Sequence, residues 1–92
     1  MYYVYILKTS RNTLYTGITS NLERRVEEHQ SKSKKAAKYT RAFASVTLVY
    51  SEEVASREEA LKREWQIKKM TRQDKDRLIH ASLTTKASPQ AS

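Results

Sequence analysis

The 92-residue chain has 18 lysine and arginine residues against ten aspartate and glutamate residues, which gives a formal net charge of +8. A chain of this length forms one small domain, and the absence of cysteine excludes disulfide bonds and cysteine-ligated zinc sites. The basic charge favours a polyanionic partner, with nucleic acid first and a ribosomal or acidic membrane surface next.

The first thirty residues predict a β-hairpin followed by a helix. Residues 2–8, YYVYILK, and residues 14–19, LYTGIT, are rich in the aromatic and β-branched residues that strands prefer. Ser20, with Glu23 three positions later, has the pattern of a capping box and predicts the start of a helix. The apolar run at the start is too short to cross a bilayer and has no basic lead-in. We therefore expect no membrane association and a cytoplasmic location, with the nucleoid if the source is bacterial.

A basic segment without any acidic residue follows this helix. Residues 31–44 show no clear periodicity, which indicates a loop, and like charges keep such a loop extended. The segment is either a solvated loop or an arm that follows a nucleic-acid backbone. Five cations in it are candidate nucleic-acid contacts: Lys32, Lys34, Lys35, Lys38 and Arg41.

The second half of the chain begins with a strand and a helix. The nearly continuous apolar residues of segment 45–52 predict a third strand, one that is covered on both faces or central in its sheet. Ser56, with Glu59, forms a second capping-box pattern and predicts a helix to about residue 70.

The predicted fold is α+β. Thr71 is a candidate N-cap for a last helix that ends near residue 80, and residues 81–92 are small and polar, which predicts a disordered tail. The order β-β-α-β-α-α gives a small three-stranded antiparallel sheet flanked by helices, in a single domain over residues 1–80.

Both long helices place polar side chains on an apolar face. At about 100° per residue, Arg25 and His29 flank the stripe that Leu22 and Val26 form. Such a position is unusual for charged groups unless they have a partner or a function.

Glu64 falls within the apolar stripe of the second helix, beside Ala60 and Ile67. A carboxylate removed from water needs a cation, a metal ion or a proton. A structural ion pair with Arg25 or Lys68 explains this position as well as a functional site does.

The hairpin adds a group of tyrosines. Tyr3 and Tyr5 share one face of the first strand, and Tyr15 and Gly17 share one face of the second. With an even register these faces are the same, and Gly17, the one glycine of the chain, leaves an open place where a backbone or a ligand approaches closely. Simple packing of the tyrosines and a bulge at Gly17 are the alternatives.

These residues, in this order, resemble the GIY-YIG nuclease family. YVY at residues 3–5 matches the first signature element, YTG at residues 15–17 matches the second, and the two tyrosines are ten residues apart. The helix NLERRVEEH has an arginine ten residues after the second tyrosine, and EEALKREWQIKK is similar to the later helix that carries the family's glutamate. The resemblance covers residues 2 to about 70.

The resemblance implies a role for each matching residue. Tyr5 and Tyr15 would be the signature tyrosines and Arg25 the catalytic arginine, with His29 where the family often has a histidine or a tyrosine. Glu64 would bind a single divalent metal ion, Mg²⁺ or Mn²⁺. The space at Gly17 would then give clearance for a phosphate.

The resemblance implies a metal-dependent endonuclease in which a tyrosine or His29 activates water. We expect Arg25, the metal and the net charge to lower the tyrosine pKa. Ile18 stands where some members have a lysine that serves this purpose, so Lys8 or His29 is expected to replace it.

DNA is the expected substrate, held by its backbone. A strip on the later helices adds to the basic segment, and it consists of Lys62, Arg63, Lys68, Lys69 and Arg72. Trp65 either packs under the last helix or stacks on a base. The sequence has no evident base-reading module, which favours branched, nicked or single-stranded DNA and a protein partner for targeting. The alternative is a non-catalytic module that binds DNA or RNA, or associates with the ribosome, and keeps the nuclease fold.

Overall fold

The structure, a computed structural model, describes residues 1–31 and 43–87, with side chains up to residue 82. The five cations predicted as nucleic-acid contacts in the basic segment lie outside the described residues, as does the end of the predicted tail, residues 88–92.

Three strands form one antiparallel sheet with the spatial order β2-β1-β3: β1 (Tyr2–Thr9), β2 (Leu14–Thr19) and β3 (Val46–Val54). Three helices complete the described chain: α1 (Leu22–Gln30), α2 (Arg57–Lys68) and α3 (Arg72–Ala87). The element order β-β-α-β-α-α and the α+β class are as predicted. None of these three helices is long and apolar enough to cross a membrane.

The central strand is β1, and the third strand lies at an edge of the described sheet. Of the two alternatives predicted for the third strand, a central position was therefore wrong, and packing on both faces is what the structure shows. Its apolar residues are continuous because it contributes to the packing on both faces: Leu48 packs on one face, and Val49 and Tyr50 pack on the other. The pairing of β1 with β3 shifts its register between Ile6 and Leu7, and this irregularity lets the adjacent residues Val49 and Tyr50 pack on the same face.

The sheet separates two apolar clusters. Odd-numbered residues of β1 face α1, in a cluster built from Tyr5, Leu7, Val46, Leu22 and Val26. Even-numbered residues face α2 and α3, in a cluster built from Val4, Ile6, Ala60, Ile67, Leu78 and Ile79. This alternation places Lys8 on the face opposite Tyr5, so the prediction that Lys8 could replace the missing lysine was wrong.

Two of the three predicted helix starts are confirmed. Ser56 and Thr71 accept hydrogen bonds from the backbone N–H groups three residues later, at 3.2 Å and 3.1 Å. The N-cap of α1 is Asn21 rather than Ser20, because Asn21 keeps an extended backbone and its side chain accepts from the Arg24 N–H at 3.1 Å.

The helix α3 continues to Ala87, so the predicted end near residue 80 was wrong for residues 81–87. This segment contains alanine and leucine, which favour helix.

Arg72 fixes the first turn of α3 to the β1–β2 turn. Its Nη1 donates to the Asn12 carbonyl at 2.6 Å, and its Nη2 donates to Asn12 Oδ1 at 3.2 Å. Asn12 has a φ of +65°, a left-handed conformation that asparagine tolerates better than most residues. The guanidinium therefore sets the position of α3 relative to the hairpin.

Candidate active site

The register of the β1–β2 hairpin brings the two signature tyrosines to the same face of the sheet. Tyr5 pairs with Gly17, and Leu7 pairs with Tyr15. Since odd-numbered positions pair with odd-numbered positions, both tyrosines point towards α1. The shared face is therefore confirmed. The pairing passes through Gly17 without a shift, so a bulge at this glycine was the wrong alternative.

Gly17 provides space for the ring of Tyr5. A Cβ atom at position 17 would lie 2.6 Å from Tyr5 Oη, 2.7 Å from Tyr5 Cζ and 3.2 Å from Tyr15 Cε2. The first two distances are shorter than real Cβ contacts, so a side chain at position 17 would force the Tyr5 ring to move. The expectation that Gly17 gives clearance for a phosphate was wrong, because the phenol of Tyr5 already fills that space.

Tyr5, Tyr15 and His29 form an aromatic cluster between the hairpin and α1. The ring centroids are 6.5 Å apart for Tyr5 and Tyr15, 6.0 Å for Tyr5 and His29, and 5.6 Å for Tyr15 and His29. Tyr5 and His29 are each 1% exposed, whereas Tyr15 is only partly buried. Tyr15 is therefore the member of the cluster that a substrate can reach.

Arg25 connects this cluster to the surface. It hydrogen-bonds to the Tyr5 hydroxyl, and its Nη1 donates to Glu28 Oε1 at 3.0 Å. Tyr5 Oη also lies 3.1 Å from His29 Nε2. Because an arginine can only donate, the Tyr5 oxygen accepts from Arg25, which leaves the Tyr5 hydrogen available to His29. A quarter of the Arg25 side chain stays exposed, so the guanidinium is both held in place and accessible.

Tyr5 is a neutral phenol at pH 7. Burial raises the pKa of Tyr5 above its ordinary value of 10, and the hydrogen bond and charge of Arg25 offset this only in part. The charges of Tyr15 and Glu64 also raise the Tyr5 pKa. The expectation that cations lower the tyrosine pKa was thus wrong for Tyr5, because the loss of hydration outweighs them.

His29 is a neutral imidazole at the same pH. Burial lowers the pKa of His29 from 6.5 to about 4, the charge of Arg25 lowers it as well, and the charge of Glu28 opposes both. The ring is enclosed between Tyr5 and Tyr15. It is therefore placed to hold Tyr5, and it is not placed to take a proton from a water in the solvent.

The helix α2 brings Glu64 to the same cluster from the other layer of the fold. Its charge lies near enough to Tyr5 to raise the pKa of that phenol. The Glu64 side chain is 20% exposed, and its Oε2 is 3.2 Å from Lys68 Nζ. Lys68 is thus the observed partner of the two that the sequence suggested, since Arg25 pairs with Glu28. The carboxylate lies at the rim of the site, where solvent reaches it.

Glu64 is the carboxylate that fits a metal ion here. The described residues contain no group of three or more histidine, cysteine, aspartate or glutamate side chains that could hold one. Mg²⁺ commonly binds through one or two carboxylates and completes its coordination with water and substrate phosphates. An accessible carboxylate near Tyr5 fits such a metal, which would depend on the substrate for most of its ligands.

The predicted basic strip divides into groups with different surroundings. Arg63 and Arg72 have structural partners: Arg63 Nε donates to Glu52 Oε1 at 2.9 Å, and Arg72 bonds to Asn12. Lys68 lies at the candidate active site, because it lines a groove that Tyr15 also lines.

Trp65 is exposed on α2. Its side chain is 62% exposed, so the prediction that it packs under the last helix was wrong. Lys69, predicted as a backbone contact, has its ammonium 4.2 Å from the centroid of the Trp65 ring. The ring and its cation therefore form a surface next to Glu64 along the same helix.

Two residues near the site were missed in the sequence. Glu28 holds the guanidinium of Arg25, and Lys75 of α3 lines the groove beside Tyr15. Lys75 had a detectable signal, because it lies between Leu78 and Ile79 on the helical wheel, just as Glu64 falls within the apolar stripe of its own helix. Glu28 had no such signal, since charged neighbours on a helix are common.

Comparison with known proteins shows the family to which the chain is similar. A family model described as the GIY-YIG catalytic domain matches residues 1–77, which include every residue of the cluster around Tyr5. The UPF0213 protein of Syntrophus aciditrophicus is 54% identical over 77 residues, covering 84% of this chain and 87% of that protein. The UPF0213 protein of Natronomonas pharaonis is 46% identical over 78 residues, covering 85% and 89%. The solution NMR structure of a UPF0213 protein from Bacillus halodurans has a TM-score of 0.56 and 38% identity, covering 88% of this chain and 85% of that one.

Proposed function

The chain belongs to the GIY-YIG family of nuclease domains, and from this premise we propose that it is a metal-dependent endonuclease that hydrolyses phosphodiester bonds in DNA. The observation that carries the proposal is the convergence of Tyr15, Arg25 and Glu64 around the buried pair of Tyr5 and His29. These five side chains come from four separate elements of the fold.

Tyr15 is the group that would orient the attacking water and accept its proton. The water oxygen attacks phosphorus while its proton passes to the Tyr15 oxygen, which accepts it in the deprotonated form. The bond to the 3′-oxygen breaks, that oxygen takes a proton from solvent water, and the products are a 5′-phosphate and a 3′-hydroxyl. Of the three groups considered for this role, Tyr5 and His29 are each 1% exposed, while Tyr15 is partly accessible. The proton acceptor has to lie within hydrogen-bond distance of the water, which favours Tyr15.

Arg25 would bind the non-bridging oxygens of the scissile phosphate. A guanidinium is planar and always charged, and it offers paired N–H donors that match phosphate oxygens. Glu28 and Tyr5 hold Arg25 from two sides, so little orientation has to be gained when the substrate binds. In this mechanism Tyr5 and His29 are positioning residues, which keep the guanidinium directed at the phosphate.

Glu64 would hold one Mg²⁺ or Mn²⁺. When bound there, the divalent ion would supply Lewis-acid chemistry to the phosphate and the departing 3′-oxygen. Lys68, now 3.2 Å from the carboxylate, would have to move away from it. We expect weak metal affinity in the absence of DNA, because the described residues provide one carboxylate at this position.

The proposed substrate is DNA with branched, nicked or single-stranded regions. The exposed ring of Trp65, one residue after Glu64, supports this proposal, because aromatic side chains stack on bases that are not paired. Stacking of this kind carries little sequence information, so a protein partner that directs the enzyme to its target is part of the proposal. A cytoplasmic location with access to the chromosome is also part of the proposal.

Cleavage of branched and nicked DNA by the purified chain, in Mg²⁺ or Mn²⁺, tests the proposal. Tyr15→Phe and Glu64→Gln should each lower the cleavage rate by at least about a hundredfold, since each removes a group that acts on the reacting atoms. DNA affinity in metal-free buffer should stay within about threefold for both variants, because neither loses a cation.

The matched controls are Tyr2→Phe on the opposite face of the sheet and Glu58→Gln in the exposed first turn of α2. Both should cleave as the parent does. If Tyr15→Phe and Glu64→Gln cut as well as their controls, the activity belongs to a contaminant or to another site. Salt-sensitive binding without cleavage by any of the proteins would instead support the non-catalytic module.

A further inference from the structure

A groove of about 320 Å³ lies beside Tyr15 at the edge of the sheet. It is lined by one segment of β2 and by one lysine from each of the two helices on the other face: Leu14, Tyr15, Thr16, Lys68 and Lys75. No acidic residue is among the side chains that line it. The groove is therefore a positively charged depression that shares Tyr15 with the candidate active site.

Lys75 differs from the other lysines. Of the lysines whose side chains are described (Lys8, Lys62, Lys68, Lys69 and Lys75), it alone is partly buried rather than exposed. No described carboxylate lies within salt-bridge distance of its ammonium, whereas Lys68 pairs with Glu64. A partly covered cation without an acidic partner has lost hydration that nothing in the described chain replaces.

The position of Lys75 is fixed by the fold. Arg72, one turn earlier, fixes the start of α3 to Asn12, and Leu78, one turn later, packs in the core. Lys75 thus lies on a section of helix that is held at both ends. Its ammonium is carried to the edge of β2 by the same contacts that attach α3 to the sheet.

We propose that this groove is a subsite for one backbone phosphate of the bound strand, next to the phosphate that is cleaved, and that Lys75 is its principal cation. This proposal rests on the proposed function, since it assigns the groove to the nucleic-acid strand that the active site cleaves. Lys68 is the second cation, because it becomes available when a metal ion takes its place on Glu64. Two ammonium groups from different helices form a point-charge site suited to a phosphodiester, without base recognition.

The alternative is that Lys75 only covers Leu14 and Tyr15 with its aliphatic chain and directs its ammonium into water. Lys75→Met distinguishes the two, because methionine keeps an apolar chain of similar length and removes the charge. Arg77→Met is the matched control, since Arg77 is an exposed cation on the same helix as Lys75 and lines a different depression with Gln73 and His80.

The first experiment measures binding of a fluorescent single-stranded oligonucleotide by anisotropy, in metal-free buffer, over a series of salt concentrations. Lys75→Met should weaken binding roughly tenfold at low salt and reduce the slope of log Kd against log[salt] by about 0.7, the value for one phosphate contact on a single strand. Arg77→Met should leave the slope near that of the parent. The second experiment measures cleavage, in which Lys75→Met should raise KM about tenfold and change kcat by less than about threefold.

The outcomes separate this proposal from the proposed function. If the parent does not cleave DNA but Lys75→Met alone changes the salt slope, the nuclease assignment fails and the phosphate subsite stands. If the parent cleaves and Lys75→Met behaves as Arg77→Met does, the subsite is overturned while the nuclease stands. Failure of the parent to bind the oligonucleotide overturns the subsite. A loss seen with Lys75→Ala but not with Lys75→Met also overturns it, because that pattern is due to packing.

Discussion

Acidification should destabilise this protein through His29, well before most carboxylates are protonated. The folded chain holds His29 as a neutral ring with a pKa of about 4, against an ordinary value of 6.5, chiefly because the ring is buried. The unfolded chain therefore binds a proton at this position before the folded chain does as the pH falls. The stabilising contribution of neutral His29 is fully present above about pH 6.5 and is lost as the pH falls towards 4.

The size of the effect follows from the two pKa values. A difference of about 2.5 units corresponds to about 3 kcal/mol when the transition is complete, at 1.36 kcal/mol per unit. Linkage predicts that about 2 kcal/mol of this is lost between about pH 7.5 and pH 5. The groups that face His29 are Tyr5 and Tyr15 from the hairpin and Arg25 and Glu28 from its own helix. Of these, Glu28 alone is a carboxylate.

Urea unfolding at several pH values, followed by circular dichroism in metal-free buffer, measures this loss for the parent and for His29→Gln. Glutamine keeps a polar group and does not titrate, so the variant should lose about 2 kcal/mol less than the parent over this range. His80→Gln, at the exposed second histidine of the chain, should follow the parent. Equal losses for the parent and His29→Gln would refute the buried, neutral state of His29, whatever the stability of the variant at neutral pH.

Two further predictions concern Gly17 and Trp65. Gly17→Ala should lower the free energy of unfolding by about 1–3 kcal/mol, because its Cβ would lie 2.6 Å from Tyr5 Oη and force the ring to move. Urea unfolding measures this loss. A variant as stable as the parent would show that the ring moves freely. Trp65→Ala should weaken binding of single-stranded DNA by about 1–3 kcal/mol while stability changes by less than about 0.5 kcal/mol, since the side chain is 62% exposed. Anisotropy measures the affinity for single-stranded DNA, and urea unfolding measures the stability. The control is Leu61→Ala, at a neighbouring exposed position. Equal binding by both variants would rule out a stacked base.

Much of the fold was predictable because local signals and packing agree. The strands at residues 2–8 and 14–19 have high β propensity, and their side-chain alternation also fits the two packed faces of the sheet. The edge position of β3 was not predictable from its own residues, because an apolar strand covered on both faces has the same pattern at an edge as in the centre. The far end of α3 was missed because small polar residues are compatible with both a tail and a helix.

The residues of the candidate site were predictable from the sequence, but their contacts and their burial were not. The helical wheel identified Arg25, His29 and Glu64, because polar side chains on an apolar stripe are visible in the sequence. Which of them are accessible depends on contacts between distant segments, and these contacts bury Tyr5 and His29 while leaving Tyr15 at the surface. The pKa directions were misjudged for the same reason, since desolvation depends on packing that no spacing rule contains.

The contact between Tyr5 and Gly17 makes these two positions interdependent. A side chain at position 17 requires the Tyr5 ring to move or a smaller group opposite it, and a smaller group at position 5 leaves a void over the glycine. A single substitution at either position is therefore expected to be unfavourable. A paired substitution that enlarges one side chain and shrinks the other is expected to be tolerated. A library that randomises both codons together would test whether paired substitutions are better tolerated than single ones, and related chains that have lost this glycine should have lost the tyrosine with it.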